Sequence, residues 1–431
     1  MTGHHLVLCD GPAGDAGVFR AAYARHLAKC FHRFLELEPE LPTGLHGVHR
    51  HLTDLVRRAV ATDESRLLHC FASPTVGTPL RCLGVRDDMP KVQARIDEGA
   101  AVMMPHLLFE MGLHGLIGDR ETVLWEHGAP RLASLAIGGQ VVPPAGADGL
   151  RFSASHVAAV ARGAEIARLP FDADHMGTAC EKPGGFRFER RYQPLRDVTH
   201  FATADHNPIA AVETHPDKSG NPVDLGNRGE EEWIDILDGA FALVESCLPG
   251  TFTEMRLMLH EVIPVGYDDT RHLSASYREA IGTIYLTLHP NVMTMTEAVV
   301  HEFQHNKFNV ASDSVEFLSN AFHPLYKSPI RPDPRPLWGI LLAVHAFLPV
   351  AELYRRMRDA EHPFVAHPGF ERRLSELDLK NHEGMEMLRA HARFTAAGHA
   401  LFADLEALEG RHLAERSARG LTNVPTEVHV A

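Results

Sequence analysis

The pattern His301-Glu302-Phe303-Gln304-His305 constrains this chain more than any other feature. If the segment is helical, the two histidines lie one turn apart on the same face. Their imidazoles can then hold one divalent metal ion, with Glu302 beside them as a candidate proton acceptor. Because the chain contains 30 histidines, a chance match to two solvated surface histidines is the alternative. The flanking residues help to decide between the two interpretations.

The residues before the motif favour a buried helix. Thr294 and Glu297 have the spacing of a capping box, which predicts that a helix starts there. Apolar residues surround His301, which favours a buried segment over a solvated one. Upstream, residues 282–288 are rich in β-branched and aromatic residues and predict a strand. We expect this strand beside the motif helix, as a possible docking edge for an extended substrate.

Composition excludes several classes of partner. The formal net charge of -14 argues against nucleic acid and against an anionic membrane surface. The N-terminus lacks the pattern of a secretory signal, and the longest apolar run, 340–350, is too short to span a bilayer. The six cysteines contain no C-x-x-C pair, which is typical of reduced, mostly buried thiols. We therefore expect a cytoplasmic protein without a membrane segment; its oligomeric state is left open.

The hydrophobic patterning predicts an α+β fold that is mainly helical. Residues Val157 to Leu169 are Ala-rich and predict a helix, whereas Thr251 to Val262 predict a strand. Four regions follow from the shifts in pattern: a helical N-terminal region (1–120), a β-rich region (121–204), a metal-binding catalytic core with a short sheet (205–360) and a C-terminal helical region (361–431).

A tight metal site needs a third protein ligand. The extended motif of one zinc-peptidase class is absent, because Phe308 and Ala311 stand where glycine and histidine are required. Glu316 lies in a polar, Ser-rich stretch and His323 precedes a proline, so neither has a well-formed helix to carry it. Asp313 is another option, although its position suits a hydrogen bond to a ligating histidine better.

His345 is a stronger candidate for the third ligand. It is the ionisable residue in the middle of an apolar helix predicted from Leu337 to Met357. Asp333 can cap that helix, and Pro349 should kink it next to His345. Neutral imidazole is a common metal ligand. A core histidine bonded to a neighbouring carbonyl is the alternative.

Two arginines flank the start of this helix. Arg331 and Arg335 enclose Asp333, and a guanidinium is the preferred partner of a carboxylate. One of them could pair with Asp333 and the other with a dianionic ligand. A structural salt bridge is the alternative for both.

In these features the chain resembles the stand-alone H-E-x-x-H proteins of bacterial peptide-modifying pathways, described as 2-oxoglutarate-dependent peptide β-hydroxylases. The resemblance covers roughly residues 205–350 and is specific because several separate stretches match. These stretches are Asn207-Pro208, 215–221, 285–290, 293–297, 301–307, 328–336 and 341–347.

The resemblance implies a mononuclear Fe(II) enzyme. It would use 2-oxoglutarate and dioxygen to hydroxylate an unactivated β-carbon of an amino-acid residue in a peptide or a related natural-product substrate. His301 and His305 would be metal ligands, with His345 as the third. The three remaining positions on an octahedral iron would then serve 2-oxoglutarate and dioxygen.

The same resemblance implies that Arg331 or Arg335 holds the distal carboxylate of 2-oxoglutarate. Glu302 would then act beside the metal or structurally rather than as a hydrolytic base. Two other classes stay open. One is a zinc metallopeptidase or hydrolase, in which Zn(II) binds water and Glu302 is the general base. The other is a non-catalytic peptide-binding partner stabilised by a metal.

Overall fold

The computed structural model describes residues 6–9, 16–85, 90–180, 184–211, 214–215, 218–329 and 333–421. Within these ranges, eleven α-helices and several small sheets confirm the predicted fold class, α+β and mainly helical. The helices are α1 (Gly17–Leu35), α2 (His46–Ala72), α3 (Pro74–Cys82), α4 (Pro90–Leu113), α5 (Met176–Ala179), α6 (Glu230–Cys247), α7 (Pro249–Met258), α8 (Val292–Ser312), α9 (Leu337–Asp359), α10 (Phe370–His391) and α11 (Ala396–Ala418).

The strands are short and form three sheets and two small hairpins. They are β1 (Thr122–Trp125), β2 (Leu132–Ser134), β3 (Gly139–Val142), β4 (Gly149–Ser153), β5 (His156–Ala161), β6 (Ala164–Pro170), β7 (Arg187–Arg190), β8 (Tyr192–Leu195), β9 (Thr199–Ala202), β10 (Thr214–His215), β11 (Lys218–Ser219), β12 (Glu261–Tyr267), β13 (Ser274–Ala275), β14 (Thr283–Leu288), β15 (Leu325–Tyr326) and β16 (Arg335–Pro336). The sheet orders are β1-β4-β5-β6, β2-β3-β7 and β13-β14-β12-β9-β8.

The five-stranded sheet lies next to the motif helix. Its strand β14 is buried along its whole length, and it pairs in parallel with β12 on one side and antiparallel with β13 on the other. The expectation that residues 282–288 offer a docking edge is therefore wrong, because the backbone groups on both sides of that strand are already paired. The terminal strand on this side is β13.

Two large apolar clusters hold the described part of the chain together. One joins α1 with the helices from α6 to α11, and the ring centroids of Phe19 and Phe303 within it lie 6.2 Å apart. The other joins α2, α3 and α4 with the strands before residue 190. The first cluster crosses the sequence limits proposed for the four regions, so α1 belongs to the packing of the motif helix. The four-region division itself stays a prediction.

Two elements differ from the sequence predictions. Residues Val157 to Leu169 form the β5–β6 hairpin and not a helix, because Arg162 and Gly163 both take positive φ values, 53° and 80°. A two-residue turn of this kind joins antiparallel strands. Residues Thr251 to Met258 belong to helix α7 rather than to a strand. Pro249 occupies the first turn of α7, a position that favours helix initiation.

The two helices nearest the motif also start at other residues than predicted. Helix α8 begins at Val292, where the side chain of Asn291 accepts a hydrogen bond from the Met293 N–H at 2.9 Å. The proposed capping box at Thr294 lies inside the helix. Helix α9 follows Pro336 without a side-chain cap, so Asp333 does not cap it.

Helix α9 is long and apolar enough to cross a membrane by its length and composition. It runs through Pro349 and ends at Asp359. In its most apolar 18-residue window, 72% is buried inside the protein. Packing against α8 and α10 therefore accounts for its apolar sequence.

Candidate metal centre

Helix α8 brings the motif residues together. Donor atoms of His301, Glu302 and His305 all lie within 4.8 Å of one another, and the two imidazole centroids are 4.3 Å apart. Among the residues that the structure describes, this is the one cluster of three such donors. Glu302 is buried, whereas the two histidines are partly exposed. The spacing in the sequence thus produces the predicted convergence of donors.

Glu302 is oriented by a residue from the five-stranded sheet. The hydroxyl of Ser274, on β13, donates a hydrogen bond to Glu302 Oε1 at 2.6 Å. The same oxygen lies 4.0 Å from Nε2 of His301. The other oxygen, Oε2, is buried and has no hydrogen-bond partner among the described residues. Ser274 therefore holds the carboxylate with one oxygen left available.

Asn306 attaches the motif helix to strand β14. Its Oδ1 accepts from the Gly282 N–H at 2.8 Å, and its Nδ2 donates to the Thr283 carbonyl at 3.2 Å and to the Glu302 carbonyl at 3.1 Å. Asn306 is fully buried. These three bonds fix the rotation of α8 next to His305 relative to strand β14.

A second attachment of α8 is an ion pair without solvent contact. Lys307 Nζ lies 2.8 Å and 2.7 Å from the two carboxylate oxygens of Glu254 on α7, and both side chains are fully buried. Burial raises the pKa of Glu254, and the ammonium opposes that shift. A buried pair of this kind tolerates few other geometries, so it sets the position of α8 along its axis.

The electrostatics of the cluster suit a cation. Burial lowers the pKa of His305, and the nearby Glu302 carboxylate only partly offsets this. The imidazole is therefore neutral at pH 7, which is the state that ligates metals. Nδ1 of His305, like Oε2 of Glu302, is buried without a hydrogen-bond partner. Buried polar atoms without partners are rare, and a bound divalent ion would satisfy them.

His345 lies outside this cluster. Its Nε2 donates a hydrogen bond to the Leu6 carbonyl at 2.8 Å, because a carbonyl can only accept. Burial lowers its pKa to about 3, with a smaller contribution from the positive charge of Lys307. The structure therefore shows the alternative that the sequence left open, a neutral core histidine bonded to a backbone carbonyl.

The other candidate third ligands are also placed elsewhere. Asp313 Oδ2 lies 3.0 Å from Nδ1 of His26 on α1, at the far end of α8 from the motif. Glu316 and His323 are exposed and do not join the donor cluster. Within the described residues, the three motif side chains are thus the whole donor set.

Of the two arginines, Arg331 lies outside the described residues. Arg335 is described, and its Nε lies 2.8 Å from Asp333 Oδ2, with 40% and 54% of the two side chains exposed. The predicted pairing of an arginine with Asp333 is present. The side chains of 215–217, in one of the matching stretches, are likewise outside the described part.

Three contributors to the site were not anticipated from the sequence. Ser274 carried no signal, because its contact with Glu302 spans 28 residues and depends on strand pairing. Asn306 stands directly after the motif and three residues after Phe303, so a buried amide on that face of the helix could have been suspected. Phe347 packs its ring 4.4 Å from that of His301, which a helix of uncertain rotation could not reveal.

Cavities elsewhere do not mark this centre. One of about 570 Å³ lies near Glu110 and His260, and another of about 540 Å³ lies near His26 and Cys30; neither is lined by His301, Glu302 or His305. Searches found no family model and no curated protein that matches the chain, so the function has to be inferred from the chemistry of its sites.

Proposed function

We propose that the protein is an Fe(II)- and 2-oxoglutarate-dependent oxygenase that hydroxylates a β-carbon of an amino-acid residue in a peptide or related natural product. The observation that supports this most is the donor set of two imidazoles and one carboxylate within 4.8 Å. Two histidines and one carboxylate on one face of the metal, with open positions opposite, are typical of non-haem Fe(II) oxygenases.

The residues fit a divalent ion of this kind. Among the described residues, Glu302 Oε2 and His305 Nδ1 are buried atoms without hydrogen-bond partners, and no other His, Cys, Asp or Glu joins their cluster. Iron with 2-oxoglutarate supplies the oxidation, which converts dioxygen and 2-oxoglutarate into succinate, CO2 and one hydroxyl on the substrate. Glu302 would serve as a ligand in this arrangement, rather than His345 as expected from the resemblance.

The chain itself would position the substrate and exclude water. Phe347 covers one side of the His301 ring. Ser274 holds Glu302 and also belongs to β13, the terminal strand of the sheet. An extended peptide that adds to β13 would run past the donor cluster, with backbone hydrogen bonds setting its register. Alternate side chains of such a peptide would face the metal, which suits oxidation at one β-carbon.

The anchor for 2-oxoglutarate is proposed on Arg335. Its ion pair with Asp333 is substantially exposed, and exposed pairs contribute only about 0–1 kcal/mol. Arg335 can therefore exchange Asp333 for the carboxylate of a small dianion at little cost, and a guanidinium binds carboxylates in a fixed, forked geometry.

A zinc hydrolase fits the described geometry less well. In that chemistry Glu302 acts as the base and a different side chain completes the zinc coordination. Among the described residues no further His, Cys, Asp or Glu joins the donor cluster, and His345 and Asp313 both lie outside it. If Glu302 is itself the third ligand, it is no longer free to activate water.

The test is an anaerobic titration of the metal-free protein with Fe(II) and 2-oxoglutarate, followed by visible absorption. We expect a weak charge-transfer band that needs both additions, because 2-oxoglutarate then binds the iron through two oxygens. His301→Ala and Glu302→Ala should abolish it. His51→Ala, an exposed histidine on α2, is the matched control and should retain it.

Other outcomes separate the alternatives. Tight Zn(II) binding without a band, together with a peptide hydrolysis that Glu302→Gln abolishes, would establish the hydrolase instead. If His301→Ala retains full production of the modified peptide, both enzymatic functions are excluded and a peptide-binding role remains.

A further inference from the structure

A second group of reactive side chains lines the cavity of about 540 Å³. It lies between α1, the end of α3, the C-terminus of α8 and the segment before β14. His26 and Cys30 stand one turn apart on the same face of α1. Asp313 follows the last residue of α8 and reaches the same cavity.

These residues have the order of a nucleophile, a base and an orienting acid. Cys30 Sγ lies 3.8 Å from Nε2 of His26, and His26 Nδ1 lies 3.0 Å from Asp313 Oδ2. Asp313 therefore fixes the ring of His26 and leaves Nε2 facing the sulfur. A thiol activated by a histidine that a third group orients is the general arrangement for covalent catalysis.

Arg81 adds a positive charge next to the sulfur. Its Nη1 lies 3.5 Å from Cys30 Sγ and 3.5 Å from His26 Nε2, and its Nε donates to the Glu279 carbonyl at 2.6 Å. Burial raises the pKa of the Cys30 thiol, but His26 and Arg81 outweigh it and bring the pKa to about 7. Burial lowers the pKa of His26, but the hydrogen bonds with Asp313 and Cys30 raise it by more. The pKa of His26 is therefore raised above its ordinary value.

Four other buried thiols behave in the opposite way. Burial raises the pKa of Cys82 to about 12 and that of Cys180 to about 11, and it also raises the pKa values of Cys70 and Cys247. Burial alone therefore does not explain Cys30, whose neighbours favour a thiolate beside an imidazolium.

The rim of the cavity carries more positive than negative groups. The charged side chains that line it are Lys29, Arg33, Arg81, Arg278, Glu279 and Asp313. Arg33 is paired with Glu40, to which it donates two hydrogen bonds of 2.5 Å. Lys29 and Arg278 are exposed, and Lys29 donates to the Asp313 carbonyl. An anion that enters the cavity would meet these cations first.

We propose that Cys30, His26 and Asp313 form a second reactive site, in which the Cys30 thiolate attacks the carbonyl carbon of a small anionic acyl donor such as an acyl phosphate. A bond forms between Sγ and the carbonyl carbon, and the bond from that carbon to the phosphate oxygen breaks. The His26 imidazolium gives its Nε2 proton to the departing oxygen, so hydrogen phosphate leaves and Cys30 carries a thioester.

This site is separate from the donor cluster of His301, Glu302 and His305. Asp313 lies eight positions after His305 on the same helix, which corresponds to about 12 Å along the axis. Its chemistry needs no metal, so it can be tested in the presence of a chelator. Failure of the oxygenase proposal would therefore leave this proposal unaffected, and the reverse also holds.

The experiment uses the full-length, chelator-treated protein and maps modified cysteines by mass spectrometry. With iodoacetate at pH 7, Cys30 should react at least about tenfold faster than Cys82 and Cys247, because its thiolate is populated at that pH. Acetyl phosphate should acetylate Cys30 alone among these three. Equal rates at the three thiols, or no acetylation of a Cys30 that iodoacetate does modify, would overturn the proposal.

Two variants distinguish this role from a structural one. Asp313→Asn should shift the midpoint of the pH profile for Cys30 alkylation upward, and His26→Gln should slow the reaction at pH 7 about tenfold or more. His32→Gln, an exposed histidine on α1, is the matched control and should leave both unchanged. An unshifted profile in Asp313→Asn would exclude the orienting role of Asp313.

The preference for anions is tested by comparing iodoacetate with neutral iodoacetamide, each corrected for its rate with a free thiol. Lys29→Met should lower the ratio, whereas Arg20→Met, which removes an exposed charge from α1 outside the cavity lining, should not. Equal corrected rates in the unmodified protein would overturn the anionic substrate class.

Discussion

A buried imidazole nitrogen can donate a hydrogen bond to a backbone carbonyl or bind a metal ion. In His345 the nitrogen Nε2 donates to the carbonyl of Leu6. We predict that His345→Ala retains the band given by Fe(II) and 2-oxoglutarate. The same change should lower the free energy of unfolding by about 1–3 kcal/mol, because it removes the donor that His345 provides to the buried Leu6 carbonyl. Urea denaturation and the anaerobic titration measure the two effects.

The variant His301→Ala should show the opposite pattern to His345→Ala. His301→Ala should abolish the band and change the stability of the metal-free protein less than His345→Ala does, since His301 is partly exposed. A folded His345→Ala variant without the band would restore His345 as a metal ligand.

At this scale the sequence predicted what local geometry determines. The convergence of His301 and His305 follows from helical spacing alone. The partners of Glu302, His26 and His345 could not be predicted, because those contacts join residues 28, 287 and 339 positions apart. No periodicity or motif encodes contacts of that separation.

Among the elements, α8 depends most on its buried attachment to α7. We predict that Lys307→Met lowers the free energy of unfolding by about 3–5 kcal/mol, because it leaves the Glu254 carboxyl buried without its counter-ion. Combining it with Glu254→Leu should cost clearly less than the sum of the two single changes. Urea denaturation of the four proteins gives the coupling energy.

A solvent-exposed pair supplies the control. Arg372 and Glu376 on α10 lie 3.8 Å apart, with 74% of the arginine side chain exposed. Arg372→Ala should change stability by no more than about 1 kcal/mol. Additive losses for the Lys307 and Glu254 variants would show that the pair does not hold the two helices together.

Element types were predictable where apolar residues recur on one face of a helix, as in α1. The helix prediction was wrong for 157–169. The helix propensity of an Ala-rich segment is only a weak preference, and here Arg162 and Gly163 turn the chain with positive φ values. The prediction was wrong again at α7, where β-branched residues suggested a strand although Pro249 marked a helix start. In both segments the glycine or proline, Gly163 or Pro249, indicated the structure better than the other residues did.

For the whole molecule, buried titratable groups determine how stability changes with pH. Burial lowers the pKa of His106 to about 4 and those of His206, His260 and His345 to about 3. The ordinary pKa of a histidine is 6.5, so below that pH the unfolded chain binds protons at these four side chains that the folded chain does not bind. Each such group lowers stability by about 1.4 kcal/mol per unit as pH falls below that value.

Three buried carboxyl groups act in the opposite direction. Burial raises the pKa of Asp205 to about 6, that of Glu110 to about 7 and that of Glu261 to about 8. The folded state keeps these protons while the unfolded chain loses them, so this contribution is lost progressively as pH rises from the ordinary carboxyl values of about 4 to the raised values. Together the two sets predict maximal stability near about pH 6.5, with a loss on either side.

The variant Glu261→Gln tests this prediction. Gln can keep the bond that Thr283 donates to Oε1 at 2.9 Å, but it does not titrate. The loss of stability above about pH 6.5 should become shallower, and the maximum should move to higher pH. Urea midpoints measured across the pH range give the comparison. An unchanged alkaline limb would show that Glu261 is already ionised in the folded protein.

The fold class could be predicted because composition and periodicity report on whole segments at once. The way in which α1 joins the packing of α8 could not, since it depends on pairs such as Phe19 and Phe303 that are 284 positions apart in the chain.

Helix α8 carries the motif histidines near its middle and meets Asp313 at its end, so one continuous hydrogen-bonded helix spans both sites. Such a helix moves as a single body and transmits a displacement along its length. A ligand that shifts α8 at one site therefore shifts it at the other. If occupancy of one site changes the binding free energy at the other in this way, thermodynamic linkage requires the reverse effect to be equal in size.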